Sequence, residues 1–291
     1  MSSKRASFEW QKLENKHLGT RSFGDVYLVM NLRDSCLMAM KQILRENNSN
    51  LKELIDVVDI LRNLDHPNLV KYYGIEEHKD EILIFMEYYS EGTLDKACRE
   101  GLEFACVRRY THYLLKAVDY IHDQRIVHRD IKPKNIFLTQ KDVLKLGGFG
   151  CSFRLHDTDT RLVNYAGTTE YMAPEIQTNG GSLSEVTGDL NGYFEYVGYG
   201  RAVDIWSTGC VVLEMLTGKK PYHYLNHELQ IIYHQGSGVP PRLTPEIQQC
   251  ELTHTFLNNC FTIDPLQRPT AKEILQDPFA NIMPQDYEQD V

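Results

Sequence analysis

Eight residues near the middle of the chain, His128-Arg129-Asp130-Ile131-Lys132-Pro133-Lys134-Asn135, restrict the possible folds more than any other stretch. They join a run with apolar residues at helical spacing, Phe104–Asp123, to a short apolar strand, Ile136-Phe137-Leu138. An isolated His-Arg-Asp tripeptide is ordinary. Set between a helix and a strand, with Lys132 and Asn135 following at fixed spacing, the pattern is specific. Asp130 is placed to accept a hydroxyl proton, Lys132 to neutralise a transferring phosphoryl group, and Asn135 to hold a metal.

The flanking sequence changes period around this motif. His17–Met30 reads as a strand run around a Gly turn, and Ser35–Leu44, Val70–Tyr73 and Glu81–Met86 read as further strands. Leu54, Val57, Val58, Leu61 and Leu64 recur at helical spacing until His66-Pro67-Asn68 stops them. Beyond a turn at Ser90–Thr93 the chain turns helical, with long helices expected over Val203–Leu216 and Glu246–Cys260. An α+β chain of two lobes follows, a small β-rich lobe before a larger helical one. Gln177–Gly200 holds six Gly and no Lys or Arg, and reads as an acidic inserted loop.

Charge and cysteine content exclude several classes. The 291 residues carry 31 Lys plus Arg against 40 Asp plus Glu, a net charge of −9. That balance argues against a nucleic-acid partner, which needs a basic footprint. No apolar run reaches the length of a membrane span, and the basic start, MSSKRAS, has no apolar stretch behind it of the kind a secretory signal needs. Seven cysteines, an odd number without C-x-x-C spacing, read as reduced thiols of a cytoplasmic protein.

Further motifs accumulate around the central one. Met38-Ala39-Met40-Lys41 puts a lysine at a strand end, 22 residues after Gly19. Gly148-Phe149-Gly150, Ala173-Pro174-Glu175 and Asp204-Ile205-Trp206-Ser207 follow downstream. With these the sequence resembles the protein kinase family from about Phe8 to Phe279. HPNLVKYYG (66–74), IFMEYYSEGTL (84–94), GTTEYMAPE (167–175) and DPLQRPTA (264–271) are similar to the STE-type, MEKK-like MAP kinase kinase kinases. Lys132 and Thr168 match the serine/threonine pattern.

The resemblance implies a bilobal kinase fold. Residues 1–86 would form the N-lobe with a basic tail at 1–7, 87–91 the hinge, 92–281 the C-lobe with its insertion at about 177–200, and 282–291 a tail. ATP would sit under Leu18, Gly19, Gly24 and Val26, with Lys41 on its phosphates. Val26, Ala39 and Phe137 would sandwich adenine, Met86 would be the gatekeeper, and backbone groups of Glu87 and Tyr89 would bind the base. Thr168 would bond Asp130 and Lys132, Asp204 would hold the His128-Arg129 backbone, and Glu175 would pair with Arg268. Leu61, Tyr72, His128 and Phe149 would stack as an internal apolar column. The partner implied is a MAP kinase kinase as protein substrate, with a scaffold or upstream activator as a further possibility.

Three departures from the family pattern bear on activity. The metal-binding Asp of D-F-G is Gly148, which leaves Asn135 as the metal ligand and implies weakened or absent Mg²⁺ binding. The helix residue that should pair with Lys41 is Val57, 13 residues before Val70; Glu53, one turn earlier, could reach Lys41 only from a displaced helix. The second glycine of the phosphate loop is Arg21, which would crowd the loop, add positive charge, or point to solvent. Two readings stay open: a serine/threonine kinase with impaired phosphoryl transfer, and an inactive pseudokinase acting as a scaffold or allosteric partner. Thr158 and Thr160 are the expected phosphosites beside Arg129. Cys151 reads equally as a pocket-facing or a buried inert thiol.

Overall fold

The computed structural model describes residues 8–21, 24–45, 57, 60–155, 167–178 and 199–282. Most of the 177–200 insertion, Glu53, Thr158, Thr160 and the two tails lie outside them, as does the side chain of Arg21.

Five antiparallel strands form the first lobe: β1 (Trp10–Arg21), β2 (Gly24–Asn31), β3 (Leu37–Leu44), β4 (Tyr72–Glu77) and β5 (Glu81–Glu87), in the spatial order β1-β2-β3-β5-β4. Side chains alternate between the two faces of a strand. Met38, Met40, Leu83 and Phe85 therefore pack on the outer face with Val29, and Phe8 and Trp10 cover them. Ile43, Ile82 and Ile84 take the inner face and join the main core. Both faces of β5 are buried, so its sequence is almost unbroken apolar.

The sequence-based boundaries shift here for physical reasons. The first strand begins earlier, at Trp10, because Trp10 and Phe8 have the Phe85 ring to cover. The strand expected at Val70–Tyr73 starts only at Tyr72. Val70 is drawn off toward the second lobe, where its N–H donates to the Leu146 carbonyl at 2.9 Å.

The second lobe is built on α1 (Leu94–Ala97), α2 (Phe104–Asp123), α3 (Pro174–Thr178), α4 (Tyr199–Thr217), α5 (Glu228–Gly236), α6 (Pro245–Gln249), α7 (Glu251–Cys260) and α8 (Ala271–Ile274). Two short strand pairs join it: β6 (Ile126–Val127) with β9 (Phe153–Arg154), and β7 (Ile136–Leu138) with β8 (Leu144–Leu146). Helix α4 is buried around most of its girth, through Trp206, Val211, Val212 and Met215. A helix wrapped in this way reads as continuously hydrophobic rather than amphipathic. Gly209 lets α7 approach, since a Cβ there would lie 2.5 Å from Cys260 Cβ.

The single helix expected over Glu246–Cys260 is two. Cys250 is extended (φ −88°, ψ 98°) and breaks it. The Thr244 side chain caps α6 and Pro245 opens it, while the Cys250 sulfur accepts a hydrogen bond from Thr253 at the start of α7. All seven cysteines are free thiols. No helix among the described residues is long and apolar enough to cross a membrane.

Candidate active site

Between the lobes lies a cleft of about 770 Å³. Its roof comes from β1–β3, through Leu18, Thr20, Val26, Ala39 and Lys41. The strand period puts Ala39 and Lys41 on the same inward face of β3, while Met38 and Met40 face away. Its back and hinge edge are Met86, Glu87 and Tyr89, and its floor is Phe137. Gly19 and Gly24 are not among the lining residues. They pair across the β1–β2 ladder with Val26 and Arg21, and Gly24 (φ +144°) is packed so tightly that a Cβ would lie 2.0 Å from the Gln42 carbonyl oxygen. Val57 is buried at 6% exposure and lines the cleft that Lys41 also lines.

At the hinge the Glu87 N–H donates to the Lys71 carbonyl at 2.9 Å. The Tyr89 hydroxyl donates to the Glu87 carboxylate at 2.8 Å, and its ring lies 5.5 Å from that of Phe137. Burial, then the adjacent carboxylate, pushes the Tyr89 phenol well above its ordinary range.

The loop from His128 to Asn135 is fixed from below. Asp204 of α4 is fully buried and accepts the His128 and Arg129 backbone N–H groups at 2.8 and 2.9 Å, with His122 Nε2 2.9 Å from the same carboxylate. Arg129 stands at φ +65° and donates from Nε to the Cys151 carbonyl. The His128 ring bonds the Gly147 carbonyl at 2.8 Å and packs on Phe149. Tyr72 meets Phe149 edge-on from the first lobe, and Leu61 lines the cleft nearby. Burial lowers the His128 pKa, so the ring stays neutral.

Asp130 is held by three side chains. Thr168 donates to Oδ1 at 2.7 Å, the Lys132 ammonium lies 2.9 Å from Oδ2, and Asn135 Nδ2 donates to Oδ2 at 2.8 Å. Lys132 also donates to the Thr168 hydroxyl. The carboxylate is thus oriented, with both oxygens engaged, at a point open to the cleft. Such a group can receive a proton from a hydroxyl brought to it.

Gly148 adopts φ +82°, a left-handed conformation that costs glycine little. A Cβ there would lie 2.3 Å from Asn135 Cγ and 2.6 Å from both amide heteroatoms. The Asn135 amide therefore occupies the space into which a side chain at 148 would extend. Position 148 contributes no oxygen, and Asn135 directs its amino group to Asp130. Asp142, the nearest acid upstream of Gly148, bonds Arg109 and Tyr110 instead. Among the described residues no cluster of three His, Cys, Asp or Glu is placed to hold a metal ion.

Several lining residues carry no motif signal or were passed over within one. Asp95 and Lys96 enter through folding alone, while Thr20 and Thr93 stand inside recognised stretches at positions given no role, and Tyr72, expected in the apolar column, also lines the cleft. Lys134 also lines the cleft, and it is written in the central motif itself. Cys151 lines the cleft half-buried, with its thiol pKa raised by burial. Glu175 and Arg268 form a buried bidentate pair at 2.8 and 3.1 Å, and Arg268 also reaches the Ala202 carbonyl.

A sheet lobe over a helical lobe, with a lysine-roofed cleft and a pinned Asp130 loop at its floor, is the bilobal architecture of a protein kinase domain. The chain belongs to the protein kinase family: the protein kinase domain matches residues 13–280. Its relatives narrow the class. It is 40% identical over 289 residues to mitogen-activated protein kinase kinase kinase 4 of Mus musculus, covering 96% of this chain and 17% of that protein. It is 36% identical over 295 residues to the serine/threonine-protein kinase SSK22 of Saccharomyces cerevisiae, covering 94% and 21%, and 34% identical over 289 residues to the MAP kinase kinase kinase wis4 of Schizosaccharomyces pombe, covering 94% and 19%. The chain spans about a fifth of the length of these relatives.

Proposed function

We propose that this chain is a nucleotide-binding kinase domain of MAP kinase kinase kinase type in which phosphoryl transfer to serine or threonine is impaired. Adenine would lie between Val26, Ala39 and Phe137, with the Glu87–Tyr89 backbone on its edge and Met86 behind. The protein partner would be a MAP kinase kinase, as the names of the MAP kinase kinase kinase relatives suggest. Asp130 would take the hydroxyl proton, oriented by Thr168 and Asn135, and Lys132 would stabilise the charge that builds on the transferred group.

The observation that carries the impairment is the contact between Gly148 and Asn135. Magnesium prefers an octahedron of oxygens that includes one or two carboxylates. Here position 148 offers none, the amide at 135 closes on the gap, and Asp130 is already engaged, so the residues present do not fit the ion. Loss of one electrostatic partner at a transferring group lowers the rate by about 10²–10³. Val57 compounds the defect by placing an apolar side chain where the family carries an acid.

The test uses radiolabelled ATP with a MAP kinase kinase as acceptor. Incorporation should be slow and should vanish in Asp130→Asn. Robust Mg²⁺-dependent turnover would overturn the reading of impairment. The same two absent acids favour a second reading, a pseudokinase that acts as a scaffold or allosteric partner. Nucleotide-induced thermal stabilisation with no turnover at all would select it.

A further inference from the structure

Gln235 is fully buried on α5, on the same inward face as Ile231 one turn earlier. An apolar residue would fill that position at less cost, because a buried amide must find partners for its polar atoms. Gln235 finds them in two other segments. Its Nε2 donates to the Thr169 carbonyl at 2.7 Å, and its Oε1 accepts from Gln177 of α3 at 2.9 Å. A carbonyl can only accept, so the amide has to turn its amino group to Thr169. Two turns earlier on α5, Glu228 accepts the Thr169 hydroxyl at 2.6 Å. Helix α5 thus grips Thr169 by backbone and side chain at once.

We infer that Gln235 is a positioning residue for phosphoryl transfer, holding the Thr169 carbonyl so that the adjacent Thr168 hydroxyl stays on Asp130. This rests on the reading of Asp130 as proton acceptor and adds to it a residue outside the cleft lining. Thr168 is extended (φ −115°, ψ 119°), so successive side chains leave the backbone on opposite sides, Thr168 toward Asp130 and Thr169 toward α5. The turn that follows closes on Thr168 itself, whose carbonyl accepts the Tyr171 N–H at 2.9 Å. A shift of Thr169 therefore passes to Thr168 through a single rigid peptide unit. Thr168 bonds both Asp130 and Lys132, so its displacement disturbs the base and the charge neutraliser together.

The experiment compares Gln235→Met with Gln177→Met in the intact chain, below the melting temperature of both. Methionine matches glutamine in length and fills the same space. Each variant breaks the Gln177–Gln235 bond, but only Gln235→Met takes the donor from Thr169. In transfer from ATP to a MAP kinase kinase, Gln235→Met should lower kcat about ten- to a hundredfold with the KM for ATP little changed, whereas Gln177→Met should stay near the parent. Deuterium exchange of the Tyr171 amide reads the turn without turnover, and it should quicken in Gln235→Met alone. Parental kcat in Gln235→Met, or an equal fall in both variants, would overturn the inference, because a purely structural amide pair would treat the two alike. If the parent transfers no phosphoryl group, the reading of residual transfer falls and exchange decides: quickening confined to Gln235→Met upholds the hold on Thr168, and equal exchange in both variants overturns it. Should Gln235→Met not fold, Glu228→Ala carries the test, since Glu228 is exposed and is the other hold on Thr169. Parental exchange there would likewise overturn the inference.

Discussion

Single residues decide the chemistry of this cleft, and Gly148 decides most. Its left-handed backbone and the amide of Asn135 leave no room for a Cβ. Gly148→Ala should lower stability by about 1–3 kcal/mol, through positive-φ strain and overpacking. A melting curve reads the effect directly, and an unchanged melting temperature would mean that Asn135 rotates away at little cost. The substitution was plain in the sequence, because an acid missing from a fixed motif position needs no coordinates to see. What the sequence did not disclose was that Asn135 would move into the gap. That depends on the angle between two backbone segments 13 residues apart, which no motif encodes. Lys134 was hidden differently: it stood inside a recognised motif at a position to which the motif assigns no role.

At the scale of elements, the loop that carries Asp130 takes its shape from a helix more than 70 residues later. Asp204 on α4 receives three donors in a fully buried setting. Asp204→Ala would strand two backbone N–H groups where water cannot reach them. Breaking a buried polar network of this kind costs about 3–5 kcal/mol, a fall of about 10 °C in melting temperature for a domain of this size. Differential scanning calorimetry would measure it, and a loss of only a degree or two would show that the loop holds itself. Elements with strong periodicity were legible: α2 spans the residues its apolar spacing marks out, and β7 those of its short apolar run. Boundaries set by distant contacts were not. Cys250 splits one expected helix because Thr244 and Pro245 start one segment and the extended backbone at Cys250 ends it before the next begins. Val70 leaves its expected strand because Leu146 takes its N–H.

The whole molecule responds to acid through histidines that folding keeps neutral. Burial lowers the pKa of His128, His66 and His112 below the ordinary value of 6.5. Below 6.5 the unfolded chain binds protons at these sites that the folded chain does not, so stability is full above that pH and falls as pH drops toward the folded values. The melting temperature should therefore decline from pH 7 to pH 5.5, and the slope should be shallower in His128→Asn. A flat profile over that range would refute the account. The two-lobed organisation was readable from the change of period along the chain, and the family match to residues 13–280 agrees with it. The lobes are also fastened to each other at a second place besides the connecting segment after β5. Asn68 accepts from Leu146 N–H at 2.8 Å and reaches the Leu144 carbonyl with its amide, beside the Val70–Leu146 bond. Among the described residues these bonds and the nearby Tyr72–Phe149 and His66–Tyr120 contacts hold the lobes together along one side, like the hinge edge of a door. The upper lobe can swing about the line through Asn68 and the strand end at Glu87, but sliding or twisting off that axis would tear backbone hydrogen bonds. Opening and shutting should thus widen the lip at Thr20 most and the region around Phe149 least.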